Sequence, residues 1–253
     1  MQKKYLQQLF TIICLFITSV SVGSAEPDDA ELAREVLEKS DHIRFPRESF
    51  QVDVTINTTA PDQPADMRKY RVLSKDNENG VVMVREPASE RGQIMLMKGR
   101  DLWVFMPSIS QPVRLSLSQR LTGQVANGDL ARANFTGDYI PTILRTDTIE
   151  GEKYYVLELI GADRGVTYHK VLYWIRQSNF WPYRAEFYSL SNRLLKTSRY
   201  ESFQMIVGKQ RPTRLIMEDA LRKGEKSVLE YSEMTLRDLP DKIFTKDYLK
   251  KLD

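Results

Sequence analysis

The chain has 253 residues, of which 37 are basic and 34 acidic, and it contains one cysteine. This near balance provides no global field to attract nucleic acid, and the sequence has no basic stripe with interleaved aromatic residues. A single cysteine excludes a disulfide framework and thiolate metal sites. The length permits one large all-β or α+β domain, because barrels and sandwiches of this size often form a single unit.

The N-terminus predicts a cleaved secretory signal at residues 1–25. Two lysines precede a nearly unbroken apolar run over 9–17, and small residues follow at 23–25, as in such signals. The run is shorter than the about 20 residues that a spanning helix needs. An uncleaved anchor is the alternative. Cys14 lies within the run without the small residues of a lipid-attachment site before it, so we expect a mature chain of 26–253 with neither thiol nor lipid.

A helix, about eleven strands and a final short helix are predicted in chain order. Residues 28–40 space apolar side chains at helical intervals. Residues 50–56 then alternate apolar and polar side chains, the period of a strand with one wet face. Residues 239–250 predict the final helix. Ten further strand-like segments lie at 69–74, 81–86, 92–98, 101–106, 153–160, 170–177, 182–190, 194–203, 213–219 and 226–236.

Short turn signals between these segments indicate consecutive antiparallel strands. Only the interval 113–135 is long enough for a crossover helix, so parallel winding is not expected. The sequence therefore predicts a mainly β, α+β fold. The turn signals are Asn79-Gly80, Lys98-Gly99, Ser191-Asn192, Gly208-Lys209 and Lys223-Gly224.

Several predicted strands are apolar on both faces. In 101–106, for example, Leu102 and Val104 oppose Trp103 and Phe105. A sheet with one solvated face alternates more cleanly. Two interpretations remain open: one face lines a cavity while helices cover the other, or both faces belong to a closed sandwich core.

The residues do not favour an enzyme or a metal protein. His42 and His169 are far apart in the sequence, and neither is accompanied by a cysteine or by a G-x-S-x-G serine. The chain has no paired-histidine motif, no calcium loop in register and no glycine-rich phosphate loop. We therefore expect no catalytic activity, no metal and no cofactor.

Three blocks of sequence carry a resemblance to a known family: LWVFMPSISQPVRLSLSQRLTG at 102–123, NGDLARANFTGDY at 127–139 and LPDKIFTKDYLKKL at 239–252. Together with the signal, the first helix and the long meander, they resemble the outer-membrane lipoprotein-sorting family related to the periplasmic carrier LolA. The resemblance covers essentially the whole mature chain.

The resemblance implies an incomplete antiparallel barrel of about eleven strands around a hydrophobic cavity, with helices and an insertion at about 107–140 as its lid. Either Arg114 or Arg120 of the lid is expected to donate hydrogen bonds that hold the lid to the sheet. The expected cavity residues are Met83, Leu96, Trp103, Phe105, Leu157, Tyr173, Ile175, Phe187 and Met217. The expected lid residues are Arg114, Leu115, Leu117, Arg120, Leu121 and Asp129.

The resemblance also implies a function. It suggests a monomeric periplasmic carrier that binds lipid or lipoprotein acyl chains for transfer toward the outer membrane. Its expected partners are an inner-membrane transporter of the ABC or RND type and an outer-membrane acceptor. The alternative is an accessory or sensor subunit of a membrane transport complex, which would use the same fold to bind a partner protein.

Overall fold

The structure is a computed structural model that describes residues 27–109, 111–132 and 134–249. The predicted signal at 1–25 and the end of the predicted final helix, Lys250, lie outside the described residues. Among the helices that are described, none is long and apolar enough to cross a membrane.

Strands dominate the described chain, and helices are few. The helices are α1 (Pro27–Arg44), α2 (Asn127–Ala131) and α3 (Lys246–Leu249), and two 3-10 turns lie at Ala88–Glu90 and Asp241–Phe244. The strands are β1 (Phe50–Thr59), β2 (Asp66–Lys75), β3 (Asn79–Glu86), β4 (Ile94–Lys98), β5 (Asp101–Phe105), β6 (Val113–Leu115), β7 (Arg120–Thr122), β8 (Val125–Ala126), β9 (Tyr139–Ile149), β10 (Glu152–Gly161), β11 (Lys170–Arg176), β12 (Pro182–Tyr188), β13 (Leu194–Ile206), β14 (Lys209–Asp219) and β15 (Lys226–Leu236).

Thirteen strands form one antiparallel sheet in the order β6-β5-β4-β3-β2-β1-β15-β14-β13-β12-β11-β10-β9. β1 pairs with β15 inside the sheet, where Val54 lies opposite Tyr231. The chain runs outward from β1 to the edge strand β6, crosses to the other edge at β9, and returns strand by strand to β15. Because β6 and β9 remain edges, the sheet is an incomplete barrel, and this part of the prediction is confirmed.

The two faces of the sheet belong to different cores. We call the face that packs against α1 the inner face; it includes Val82, Met95 and Leu102. The same core contains residues of 116–138, which we call the central segment. On the outer face, β3, β4 and β5 pack against α3 and the 3-10 turn at Asp241–Phe244, which we call the C-terminal turn. The contacts involve Leu239, Phe244 and Leu249. A second outer cluster surrounds Trp174.

Helix α1 lies on the inner face because its buried side chains recur every three or four residues. Ala33, Val36 and Leu37 are at most 2% exposed, and this spacing places them on one stripe. On the exposed side, Glu35 and Lys39 form an ion pair at 2.5 Å. The helix predicted at 28–40 is therefore present and runs four residues further.

The described residues form fifteen strands where about eleven were expected. The four that the sequence did not predict are β6, β7, β8 and β9. β6, β7 and β8 have two or three residues each, too few to show a period. β9 is an edge strand, where Pro141 is tolerated and Ile140 is 63% exposed. The turn predicted at Asn79-Gly80 lies earlier: Asp76 and Asn77 have φ values of 55° and 53°, and Asn79 begins β3.

Candidate functional site

Apolar side chains of the central segment fill the inner face of the sheet. Leu117 is 1% exposed, Val125 0% and Leu130 4%. A void of about 20 Å³ lies between the segment and the sheet. The surface expected to line a cavity is thus occupied by the chain itself. The same core contains five of the expected cavity residues: Leu157, Tyr173, Ile175, Phe187 and Met217.

The other four expected cavity residues lie on the outer face, away from the face that the central segment fills, and their role in lipid binding remains a prediction. Met83, Leu96, Trp103 and Phe105 belong to the cluster that the C-terminal turn and α3 cover. Successive side chains of a strand point to opposite faces. β3, β4 and β5 are apolar on both faces, so their pattern does not tell which face meets the central segment. The inner positions are the neighbouring ones: Val82, Val84, Met95, Met97, Leu102 and Val104.

The expected lid residues divide between the sheet and the central segment. Arg114 and Leu115 lie in the edge strand β6, and Arg114 pairs there with Asp101 of β5. Leu121 packs partly buried against the core, whereas Arg120 is exposed. Arg114, which lies within the predicted insertion at 107–140, therefore hydrogen bonds to the sheet, whereas Arg120 has no acidic partner among the described residues. Their role as a latch remains a prediction. Long cationic side chains at such open positions remain hydrated.

Gly123 allows the β7–β8 hairpin to pack closely against strands β1 and β15 of the sheet. Gly123 has a φ of +49°, and a Cβ there would come within 2.3 Å of the Ser227 hydroxyl and 2.4 Å of the Thr58 hydroxyl. These two hydroxyls hydrogen bond to each other at 2.9 Å, and Ser227 Oγ accepts the Gln124 N–H at 2.9 Å. The tip of the hairpin therefore contacts β1 and β15 directly.

Asp129 connects the central segment to the loop before β11. Its Oδ2 accepts the Ala126 N–H at 2.8 Å and the Tyr168 hydroxyl at 2.6 Å. The Lys196 ammonium lies 3.9 Å from the same carboxylate and donates to the Gln124 carbonyl. Burial lowers the pKa of Lys196 and raises the pKa of Tyr168. The phenol therefore remains a hydrogen-bond donor at neutral pH.

Arg132 anchors the next part of the segment. Its guanidinium pairs with Asp138, and both side chains are 3% exposed. It also donates to the Asn77 and Gly99 carbonyls at 2.9 and 3.0 Å and to Glu78 at 3.2 Å. These acceptors lie in the turns that end β2 and β4. One arginine thus binds the central segment to two hairpins of the sheet.

Asp41 of α1 provides a third anchor. Its Oδ2 accepts the N–H groups of Phe135 and Thr136 at 2.9 and 2.8 Å, and the Thr136 hydroxyl at 2.7 Å. Arg44 lies 3.3 Å from Asp41 and places its guanidinium 4.7 Å from the centre of the Phe135 ring. α1 and the central segment are therefore held to each other by buried polar contacts.

Sequence reasoning missed most of these anchors, because it placed polar residues of periodic segments in solvent. One signal was present in α1, where Asp41 continues the stripe of Ala33 and Leu37 at intervals of four residues. A carboxylate in an apolar stripe indicates a buried partner. Arg132 and Lys196 have no comparable signal, since their acceptors are far away in the sequence.

The chain matches a family and a close structural relative. A family model described as "Uncharacterized protein" matches residues 76–251. The crystal structure of a LolA superfamily protein from Nitrosomonas europaea is 72% identical, with a TM-score of 0.83 over 85% of this chain and 98% of that chain. The chain belongs to the LolA superfamily. The resemblance carried by the three sequence blocks is therefore confirmed.

Two more distant structures share the fold. A domain from Vibrio parahaemolyticus, described as an outer membrane lipoprotein-sorting protein domain, is 21% identical with a TM-score of 0.74, over 87% of this chain and 99% of that chain. A DUF1329 family protein from Desulfovibrio piger is 19% identical with a TM-score of 0.74, over 87% of this chain and 99% of that chain. No curated protein sequence matches the chain. Within the described ranges, no group of three histidine, cysteine or acidic side chains is placed to hold a metal.

Proposed function

We propose that this member of the LolA superfamily is a periplasmic carrier that binds lipoprotein acyl chains or other lipid on the inner face of its sheet, for transfer toward the outer membrane. One observation carries the proposal: the inner face is filled by a tethered loop-like segment, through Leu117, Val125 and Leu130. The sheet itself needs no rearrangement when this segment leaves, because all its strand pairs lie outside 116–138.

Burial of three apolar side chains of the segment and burial of part of an acyl chain contribute comparable free energies. Burying a Leu or Val side chain contributes about 1.5–3 kcal/mol, so withdrawing three of them costs about 5–9 kcal/mol. Each buried methylene of an acyl chain contributes about 0.8 kcal/mol, so about ten of them supply about 8 kcal/mol. A ligand can therefore replace the segment, and the segment can in turn expel the ligand. A carrier needs this reversibility.

The polar anchors hold the central segment in one position when no ligand is bound. Asp41 and Arg132 each hold the central segment to the rest of the fold through two or more hydrogen bonds, and Asp129 holds it to the Tyr168 hydroxyl. A buried network that is fully satisfied specifies one position of its parts. After release of the ligand, the segment returns to the same place.

The proposed carrier works between the inner and the outer membrane. A cleaved signal at 1–25 exports a single domain of 26–253, which receives lipid from an inner-membrane transporter of the ABC or RND type and passes it to an outer-membrane acceptor. The lipoprotein-sorting description of the Vibrio parahaemolyticus domain supports this assignment. No catalytic step is part of the cycle.

A reversible crosslink tests the displacement. A Cβ placed on Gly128 of α2 lies 3.0 Å from the Cβ of Thr167, and a disulfide needs about 3.5–4.5 Å, so a small shift admits a bond in Gly128→Cys/Thr167→Cys. The mature chain has no other thiol. We expect the oxidised variant to take up no fluorescent fatty acid and the reduced variant to recover uptake, measured by fluorescence titration.

The control for the crosslink is Thr167→Cys alone, which should take up the probe equally with and without reductant. Equal uptake by the oxidised and reduced double variant would show that lipid binds without moving the central segment. Absence of uptake by the unmodified protein, after removal of co-purified lipid, would refute the carrier and favour the accessory subunit.

A further inference from the structure

A cleft of about 460 Å³ opens beside the central segment. Its walls are the β7–β8 hairpin, the loop between β10 and β11, the β12–β13 turn and the β14–β15 turn. We call it the arginine cleft, because its lining includes Arg120, Arg164, Arg193 and Arg222.

The arginine cleft carries an excess of positive charge. Its two carboxylates are already engaged: Asp163 pairs with Arg100, and Asp219 accepts two backbone N–H groups of its own turn at 2.8 and 2.9 Å. Three exposed guanidinium groups of the cleft have no acidic partner among the described residues. They belong to Arg120, Arg164 and Arg193.

The cleft also has an apolar rim and an apolar floor. Leu190 and Leu221 line it while remaining 71% and 58% exposed. Its floor includes Val125 and Ala126, which are also part of the filling of the inner face. When the central segment withdraws, its β7–β8 hairpin leaves the cleft, while Arg164, Arg193, Leu190 and Leu221 lie outside the segment and stay in place. The remaining cleft then opens onto the inner face, so that one elongated ligand can occupy both.

We propose that the arginine cleft binds the headgroup of an acidic phospholipid whose acyl chains lie on the inner face. The inference rests on the proposed function and specifies its ligand. Guanidinium groups bind phosphate through paired, charge-assisted hydrogen bonds. A cluster of unpaired cations repels the quaternary ammonium of a choline headgroup. The two exposed leucines meet the ligand where the headgroup joins the acyl chains.

Short-chain phosphatidylglycerol and phosphatidylcholine with identical acyl chains test the proposal, used below their micelle concentrations in calorimetric titrations. We expect phosphatidylglycerol to bind about tenfold more tightly at low salt, because both headgroups present a phosphate but only choline adds a cation that the unpaired guanidinium groups repel. The variant Arg164→Gln/Arg193→Gln, which changes two arginines of the cleft that lie outside the central segment, should lose this preference. The control Arg34→Gln/Arg237→Gln, which changes two exposed arginines outside the cleft lining, should keep it.

The outcomes separate the two proposals. Equal affinities for the two lipids, or a preference that survives Arg164→Gln/Arg193→Gln, would overturn the headgroup site and leave the carrier intact. Binding of neither lipid would refute both. Displacement of phosphatidylglycerol by glycerol 3-phosphate at equal concentration would assign the cleft to a free phosphate compound and overturn the lipid assignment.

Discussion

Charged side chains occupy the inner face at positions where an ordinary core would be apolar. Asp41, Arg132 and Asp138 are all buried, and removing such groups from water costs several kcal/mol each unless hydrogen bonds replace the hydration. Here the replacement comes from the central segment. The anchors therefore fix the segment in place while adding less net stability than apolar packing of the same volume.

Replacing Arg132 should destabilise the protein strongly. Arg132→Met leaves Asp138 buried with one fewer cation and removes the donor from the Asn77 and Gly99 carbonyls. We expect a loss of about 3–5 kcal/mol in the free energy of unfolding, measured with urea. Arg114→Met is the matched control, because that pair is 72% and 47% exposed and should cost less than about 1 kcal/mol. Similar losses for both would contradict the anchor.

Asp147 gives the outer face a defined pH dependence. Hydrogen bonds from Arg145 and from the Trp174 indole lower the pKa of its carboxyl below the usual value of 3.8. The folded state therefore binds fewer protons than the unfolded state near this pH, and stability falls as pH drops. The stabilisation is fully present above about pH 4 and is lost below it.

Asp147→Asn should remove this dependence. At pH 7 we expect the variant to be less stable than the unmodified protein by about 1 kcal/mol. The difference should shrink as the pH is lowered through 4 toward 2 in urea titrations, because protonation removes the same charge from the unmodified protein. A constant difference over this range would show that Asp147 is not the titrating group.

At the scale of elements, periodicity predicted the long strands except the edge strand β9, and it did not predict which face of β3, β4 and β5 meets the central segment. β1 and β11 to β15 have six or more residues each, so their alternation stands out. In β4, Met95 and Leu96 are equally apolar and equally buried. Only the tertiary position of α3 decides which of them faces outward, and that position is not encoded within the strand. Asp129 was expected in the lid on the resemblance alone, whereas the partners of Arg132 could not be predicted because they lie far away in the sequence.

Adjacent residues of β4 test which face takes the ligand. Met95 lies on the inner face and Leu96 on the outer face. Both Met95→Ala and Leu96→Ala should lower the free energy of unfolding by about 2–5 kcal/mol, because each creates a cavity in a core. Only Met95→Ala should change the affinity for a fluorescent fatty acid. A change with Leu96→Ala alone would return the ligand site to the outer face.

At the scale of the whole molecule, the topology explains how the segment moves without unfolding the sheet. The central segment joins the two edge strands, β6 and β9, while β1 and β15 close the sheet at its middle. The segment is therefore tethered at both ends and free of the main strand ladder. Its displacement breaks the contacts of 116–138 and leaves the antiparallel pairs of the sheet in place.

Hydrogen exchange provides the corresponding measurement. Within the segment, the Asn127 N–H donates to the Gln119 carbonyl at 2.9 Å, and the Gly128 N–H donates to the Leu117 carbonyl at 2.9 Å. A ligand that binds the open state shifts the population toward it. We expect fatty acid to accelerate amide exchange over 117–131, since the segment leaves the sheet, and to slow exchange in β11 and β14, whose inner side chains then contact ligand. Slower exchange over 117–131 would mean that lipid binds on top of a closed segment, and the inner face would then be a core rather than a binding site.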